Sequence, residues 1–295
     1  MKLHRCISVL IAALLLAGAA QAQSNQRTGT VAVEPDVAIH YVEAGERNAP
    51  LSFLFVPGWA TTSAVWRDQV AAFASRGRVV AIDPRSQGLS TIIARGNTPE
   101  RRARDVREVI RALGLNNVVL VGWSQGVQDV AAYAAAFEGE QVAGYVLVDA
   151  AVSSGPAIAE AEPKGMKQEL ERLGIYARYP REYLKGMMNA IIASPAGKAR
   201  IDEFVELGLK TPPDLGISML VTDFLAIDRR AALKKFNRPA LVIAAAGADD
   251  LEAQRAMARE INAQFELVPQ AGHAVFLDQP ARFEELLAGF AKRLL

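Results

Sequence analysis

One five-residue stretch, Gly122-Trp123-Ser124-Gln125-Gly126, constrains the fold of this chain more than any other. It reads G-x-S-x-G. An apolar, β-branched run precedes it, Asn117-Val118-Val119-Leu120-Val121, and an Ala-rich segment of good helix propensity follows from Val127 to Phe137. A strand that turns sharply into a helix with Ser at the apex is a nucleophile elbow. Its two glycines are needed because a side chain there would collide with the neighbouring strand or helix, and the strained turn pushes the Ser hydroxyl into a pocket. The five letters alone are a weak signal, since an ordinary βα turn can also carry Ser. Their position between strand and helix makes the signal strong.

The rest of the chain supplies the sheet that such an elbow needs. Thr28–Val33 and Val37–Val42 roughly alternate apolar and polar around Glu34-Pro35-Asp36, which predicts an antiparallel hairpin at a sheet edge. Leu51–Val56 predicts a buried strand ending at Pro57-Gly58-Trp59, followed by an amphipathic segment over Ala64–Ser75. Arg78–Asp83 is the next strand. Thr98 as N-cap and Pro99 at the first helical position open a helix that stops at Gly114. Val142–Val148 is a further buried strand, ending at Asp149. From Ala150 to Arg238 strand signals vanish, and helical stretches follow at Pro163–Leu173, Pro180–Ile192, Ala196–Leu209 and Leu215–Ala226. Strands resume with Pro239–Ala246 and Phe265–Val268, separated by a helix over Leu251–Ile261, and a last helix runs from Pro280 to Leu295. Alternating strands and helices predict an α/β fold: a mainly parallel central sheet with helices on both faces. The core comprises residues 23–149 and 239–295, with a helical cap over 150–238.

The first residues read as an export signal. Lys2 and Arg5 form a positive start, Ile7–Ala17 is an apolar core too short to span a bilayer, and Ala20-Gln21-Ala22 offers a small-x-small cleavage site. Cleavage after residue 22 takes Lys+Arg from 33 to 31 against 32 Asp+Glu, leaving a net charge near −1. That balance gives no electrostatic reason to expect nucleic acid or an anionic surface as partner. Cys6, the only cysteine, goes with the leader, so the mature chain has no disulfide, thiol nucleophile or cysteine metal site. The expected location is the periplasm or the medium, without stable membrane association.

A Ser hydroxyl needs a base, usually His. The chain has three histidines: His4 in the leader, His40 in the early hairpin, and His273 in Ala271-Gly272-His273-Ala274, between the last strand and the last helix. Elimination and position both select His273, and His40 reads as structural. The base in turn needs a carboxylate to fix its tautomer and stabilise the imidazolium. Strand Pro239–Ala246 runs into Gly247-Ala248-Asp249-Asp250, at a strand C-terminus where ligand sites of such sheets collect. The order Ser124, Asp250, His273 fits the fold. Asp250 is favoured over its neighbour Asp249, with the unused acid expected to cap the helix from Leu251. Asp149 is a third candidate.

Together Pro57-Gly58-Trp59, Asp83-Pro84-Arg85-Ser86-Gln87-Gly88-Leu89-Ser90, Gly122–Gly126, Gly247–Asp250, and Gly272-His273 with Asp278-Gln279-Pro280 resemble the α/β-hydrolase pattern over nearly all of residues 28–295. In that family the acid is typically the third residue after the glycine corresponding to Gly247, which again points to Asp250. The resemblance further implies an oxyanion hole from the backbone N–H groups of Gln125 and Trp59. The chain departs from the pattern at Pro57-Gly58, where many relatives have His-Gly, and at Ser86, where Gly is common; the segment containing Ser86 reads as structural. Ser at the elbow argues against haloalkane dehalogenases and epoxide hydrolases of this fold, which use Asp. Trp59 and the small helical cap are similar to carboxylesterases and to the cofactor-free perhydrolases. The Gly-rich run that follows the elbow in many perhydrolases is absent, since Val127-Gln128 follows Gly126.

The expected function is therefore that of an exported serine hydrolase acting on a carboxylic ester or related small acyl compound, needing neither metal nor organic cofactor. Met166, Met187, Met188, Met219, Tyr176, Tyr179, Tyr183 and Phe204 of the cap read mostly as packing and predict an apolar pocket. Three alternatives stand beside the esterase: acyl transfer to peroxide, an amidase or aminopeptidase in which Glu160, Glu162 or Glu169 receives a free amine, and a non-catalytic binder on the same fold.

Overall fold

The computed structural model describes residues 26–161 and 163–295, so the leader lies outside the described residues. Its strands are β1 (Arg27–Glu34), β2 (Val37–Ala44), β3 (Ser52–Val56), β4 (Arg78–Ile82), β5 (Val118–Trp123), β6 (Val142–Val148), β7 (Ala240–Ala245) and β8 (Gln264–Val268). They form one sheet in the order β1-β2-β4-β3-β5-β6-β7-β8. The β1–β2 hairpin and the β2–β4 pairing are antiparallel, and every pairing from β4 to β8 is parallel.

β3, β4, β5 and β7 are buried at every residue, as strands covered on both faces must be. Successive side chains of β3 enter opposite apolar layers. Phe53 and Phe55 join Trp66, Phe73, Phe276 and Phe283 on one side; Leu54 and Val56 join Val106, Ile110, Leu120 and Val130 on the other.

The flanking helices begin and end where local chemistry dictates. After α1 (Arg67–Phe73) comes α2 (Pro99–Leu113), in which the Thr98 hydroxyl accepts from the Arg101 N–H and Gly114 closes the helix in the left-handed conformation. Helix α3 (Gln125–Phe137) follows β5 with a single intervening residue, Ser124.

Between β6 and β7 the described chain is helical. It contains a short helix over Pro156–Ala161, α4 (Pro163–Arg178), α5 (Pro180–Ile191), a turn at Pro195–Lys198, helices over Ile201–Gly208 and Pro213–Leu220, and one π-helical turn over Val221–Ala226. An antiparallel bridge between Ser154 and Asp228 joins the two ends of this insertion. The helix expected over Ala196–Leu209 is broken in two around Arg200, whose guanidinium donates to Ala64 O and to Asp68 of α1. Periodicity does not register such a tertiary anchor. The chain then completes α6 (Leu251–Glu260) and α7 (Pro280–Lys292). No helix among the described residues is long and apolar enough to cross a membrane.

Candidate active site

Ser124 occupies φ 55°, ψ −118°, a strained combination for a residue with a side chain. Two anchors hold it there: its N–H donates to Val148 O at 3.1 Å, and its carbonyl accepts from Val127 N–H at 2.9 Å. The glycines on either side allow the chain to pass. A Cβ on Gly122 would lie 2.3 Å from Gly126 O, and one on Gly126 would lie 2.6 Å from Val56 O.

His273 sits in the loop after β8 and before the short helix Val275–Asp278. Its carbonyl accepts from the Trp123 indole N–H at 2.9 Å, and Asp278 ties down the loop by accepting from Gly272 N–H at 2.7 Å. His273 Nδ1 meets Asp149 Oδ2 at 2.8 Å. A carboxylate only accepts, so the ring donates from Nδ1 and keeps its Nε2 lone pair for a proton. The other Asp149 oxygen accepts from Ala245 N–H at 2.6 Å, and the carboxylate is 2% exposed. Asp149 itself has φ 49°, in the left-handed region.

The acid beside His273 is therefore Asp149 and not Asp250, the residue expected from the sequence. Asp250 accepts from Ala151 N–H at 2.8 Å and from the Gln254 amide at 2.7 Å, and so braces the start of the helical insertion. It occupies the N-cap position of α6 without a side-chain capping bond. Asp249 is exposed on the same turn. The physical reason lies in strand order. β6 lies between β5, which delivers Ser124, and β7, so the residue just past β6 is the nearer one to the elbow. The loops after two neighbouring strands both carry Asp, and spacing alone does not choose between them.

The two amides expected to face an oxyanion belong to Gln125 and Trp59. Gln125 is the first residue of α3, where an N–H has no acceptor within its own helix. Trp59 lies in the turn after β3 with its indole N–H on Gly216 O of the insertion at 2.8 Å. His40 is remote from this edge: Nδ1 meets Asp83 at 3.1 Å and Nε2 meets Thr28 Oγ at 2.7 Å. Asp83 also accepts from the Ser63 and Leu89 N–H groups, and the Ser86 hydroxyl donates to Ile93 O. The segment from Asp83 to Ser90 is thus a structural loop pinned by His40, Ser63 and Ile93.

Two cavities open at Ser124 and His273. One, of about 190 Å³, has Trp59, Trp123, Met187, Ile191, Leu220 and Phe224 in its walls, with Glu169 as its single ionisable carboxylate. The other, of about 850 Å³, extends past His273 along Asp149, the Gly247–Asp250 turn and the Arg172 and Glu182 side chains. Among the cap's large residues Met188, Met219, Tyr176 and Phe204 are buried in the core, whereas Met187 and Tyr183 face the cavities. Glu160 is exposed on its short helix, and Glu162 lies outside the described residues.

A mostly parallel sheet with a strained Ser between β5 and α3, and a His–Asp pair opening on the same cavity, defines the α/β-hydrolase class. Comparison with known proteins agrees: residues 53–286 match the model of the Alpha/beta hydrolase family, and the chain belongs to that family. It is 32% identical over 233 residues to a bifunctional esterase/perhydrolase of Acinetobacter calcoaceticus, covering 73% of this chain and 80% of that one. A non-heme chloroperoxidase of Streptomyces lividans is 34% identical over 143 residues, covering 48% and 51%. Among solved structures, an esterase from Rhodococcus sp. superposes with a TM-score of 0.74 at 25% identity, covering 91% of this chain and 99% of its own. A bromoperoxidase from Bacillus anthracis superposes with a TM-score of 0.77 at 21% identity, covering 90% and 100%, and supports the fold alone. The chain is an enzyme of the α/β-hydrolase family with esterase and haloperoxidase relatives.

Proposed function

We propose that the chain is an exported serine esterase that cleaves short-chain carboxylic esters through Ser124, His273 and Asp149. The observation that carries this reading is the Asp149–His273 pair at 2.8 Å, opening on the larger cavity, which the strained Ser124 also lines. Ser124 Oγ attacks the ester carbonyl carbon and gives its proton to His273 Nε2, while Asp149 stabilises the imidazolium. The Trp59 and Gln125 amides hold the oxyanion, each donor being worth about 3 kcal/mol in the transition state. The alcohol leaves with the proton from Nε2. Water then attacks the acyl-enzyme by the same route, releasing the acid and restoring Ser124.

The two cavities support a substrate shape. Both cavities reach His273, but only the smaller is lined by Trp59 of the oxyanion hole and only the one of about 850 Å³ by Asp149, so the leaving alcohol is assigned to the larger. The acyl group then takes the apolar cavity of about 190 Å³, which is small beside the roughly 300–1,000 Å³ of common ligand pockets. Short acyl groups with larger alcohols are favoured. The apolar leader, with its Ala20-Gln21-Ala22 site, supports export.

Hydrolysis of p-nitrophenyl acetate, butyrate and octanoate by the mature protein beside Ser124→Ala tests the reading. The expected result is turnover of acetate and butyrate well above octanoate, abolished in Ser124→Ala. Equal rates in the two proteins would remove the reading. Perhydrolysis is a second reading, supported by the name of the Acinetobacter relative. Added peroxide would then give a peracid at the expense of hydrolysis, again only with Ser124 intact.

A further inference from the structure

Both residues whose amides are assigned to the oxyanion hole have side chains held by one segment of the insertion. The Trp59 indole N–H donates to Gly216 O at 2.8 Å. The Gln125 side-chain amide donates to Asp223 Oδ2, and Asp223 is fully buried in the single π turn of the insertion. Gly216 and Asp223 are seven residues apart on continuous helical backbone. A wide π turn at this point fits a role at a functional site.

Asp223 is itself fixed from the core. Arg102 of α2 donates from Nη2 to Asp223 Oδ2 at 2.5 Å, and from Nε to both Asp129 oxygens of α3 at 2.9 and 3.0 Å. Arg229 Nη1 donates to Asp223 O at 2.9 Å while its Nε reaches Glu100 of α2 at 2.8 Å. Burial raises both the Asp223 and the Asp129 carboxyls, against the pull of Arg102. A buried network of this kind, removed from every cavity wall described above, needs a purpose other than contact with substrate.

We propose that the segment 213–226 is a clamp that sets the oxyanion hole: Asp223 is a positioning residue acting through Gln125, and Gly216 does the same through Trp59. The hole is complete only when this part of the insertion is seated on the core. The inference rests on Ser124 being the nucleophile.

The test measures the rate at which a fluorophosphonate phosphonylates Ser124, kcat and KM for p-nitrophenyl butyrate, and affinity for an alkyl trifluoromethyl ketone. Asp223→Leu removes the acceptor for Gln125 without touching either cavity. Phosphonylation, kcat and ketone affinity should each fall by about ten- to a hundred-fold, part of what a lost oxyanion donor costs, with KM within about twofold. Asp223→Asn keeps a carbonyl oxygen for Gln125 and should recover most of the loss. Where Asp223→Leu does not fold, Gln125→Met, which keeps the backbone amide and loses the side-chain donor, should give the same pattern. Unchanged phosphonylation and ketone affinity per folded molecule, with only a lowered melting temperature, would overturn the clamp. A wild-type protein that does not label at Ser124 would instead remove the serine-hydrolase reading, and the clamp with it.

Discussion

Replacing Asp149 by Asn separates the two candidate acids most sharply, and the structure gives the direction of the damage. Ala245 N–H donates to Asp149 Oδ1 at 2.6 Å, so in the variant the amide carbonyl keeps that place and the NH2 turns toward His273. A donor facing Nδ1 makes that nitrogen the acceptor and forces the ring proton onto Nε2, where no lone pair is left to take the Ser124 proton. With the carboxylate only 2% exposed, water cannot restore the lost acceptor. Where the same change has been made in serine proteases, kcat fell about 10⁴-fold. We expect a loss of about 10³–10⁴-fold here, or about 4–5.5 kcal/mol in the barrier. Asp250→Asn should leave kcat within about threefold, because Asn retains one of the two hydrogen bonds, at a stability cost of about 1 kcal/mol. The assay is kcat/KM on p-nitrophenyl butyrate across pH 6 to 10, corrected by active-site titration. Equal damage from the two substitutions, or an Asp149→Asn enzyme within tenfold of wild type, would refute the argument.

Other expectations follow from single contacts. Gly122→Ala puts a methyl group 2.3 Å from Gly126 O, and should cost about 3 kcal/mol or more, read as a lost or much lowered thermal transition. Thr98→Ala removes the cap on Arg101 N–H and should cost about 1 kcal/mol in urea unfolding without altering kcat. Burial pushes the Asp129 carboxyl up to about 7, so the folded protein holds a proton that the unfolded chain releases above its ordinary value of 3.8. That contribution is full below pH 4 and is lost as pH rises through 7; Asp129→Asn should flatten the fall in melting temperature between pH 5 and 8 relative to wild type. Leu220→Trp, filling the smaller cavity, should lower butyrate turnover more than acetate turnover.

Most of the scaffold is legible in the sequence because it depends on local rules. Val118–Val121 is a strand since it is apolar and β-branched, Thr98-Pro99 starts a helix, and Gly114 ends it. Ser124 and His273 follow from a steric requirement and from the scarcity of histidine. Asp149 is harder to choose because Asp149 and Asp250 both lie in loops that follow buried strands, and only the lateral strand order decides which carboxylate reaches the ring. Asp223, Arg102 and Asp129 carry no local signal at all. They are charged residues on helices, where solvent exposure is the ordinary expectation, and their burial arises from contacts between segments 27 and 121 residues apart. The π turn is likewise invisible to a 3.6-residue periodicity.

The central claim is that an acyl group passes through Ser124. Intact-mass and peptide mapping of the protein, quenched in acid during turnover of p-nitrophenyl butyrate, tests it directly. The account predicts a butyryl adduct confined to the peptide bearing Ser124 and absent from Ser124→Ala. An adduct on another residue, or full turnover by Ser124→Ala, would contradict it.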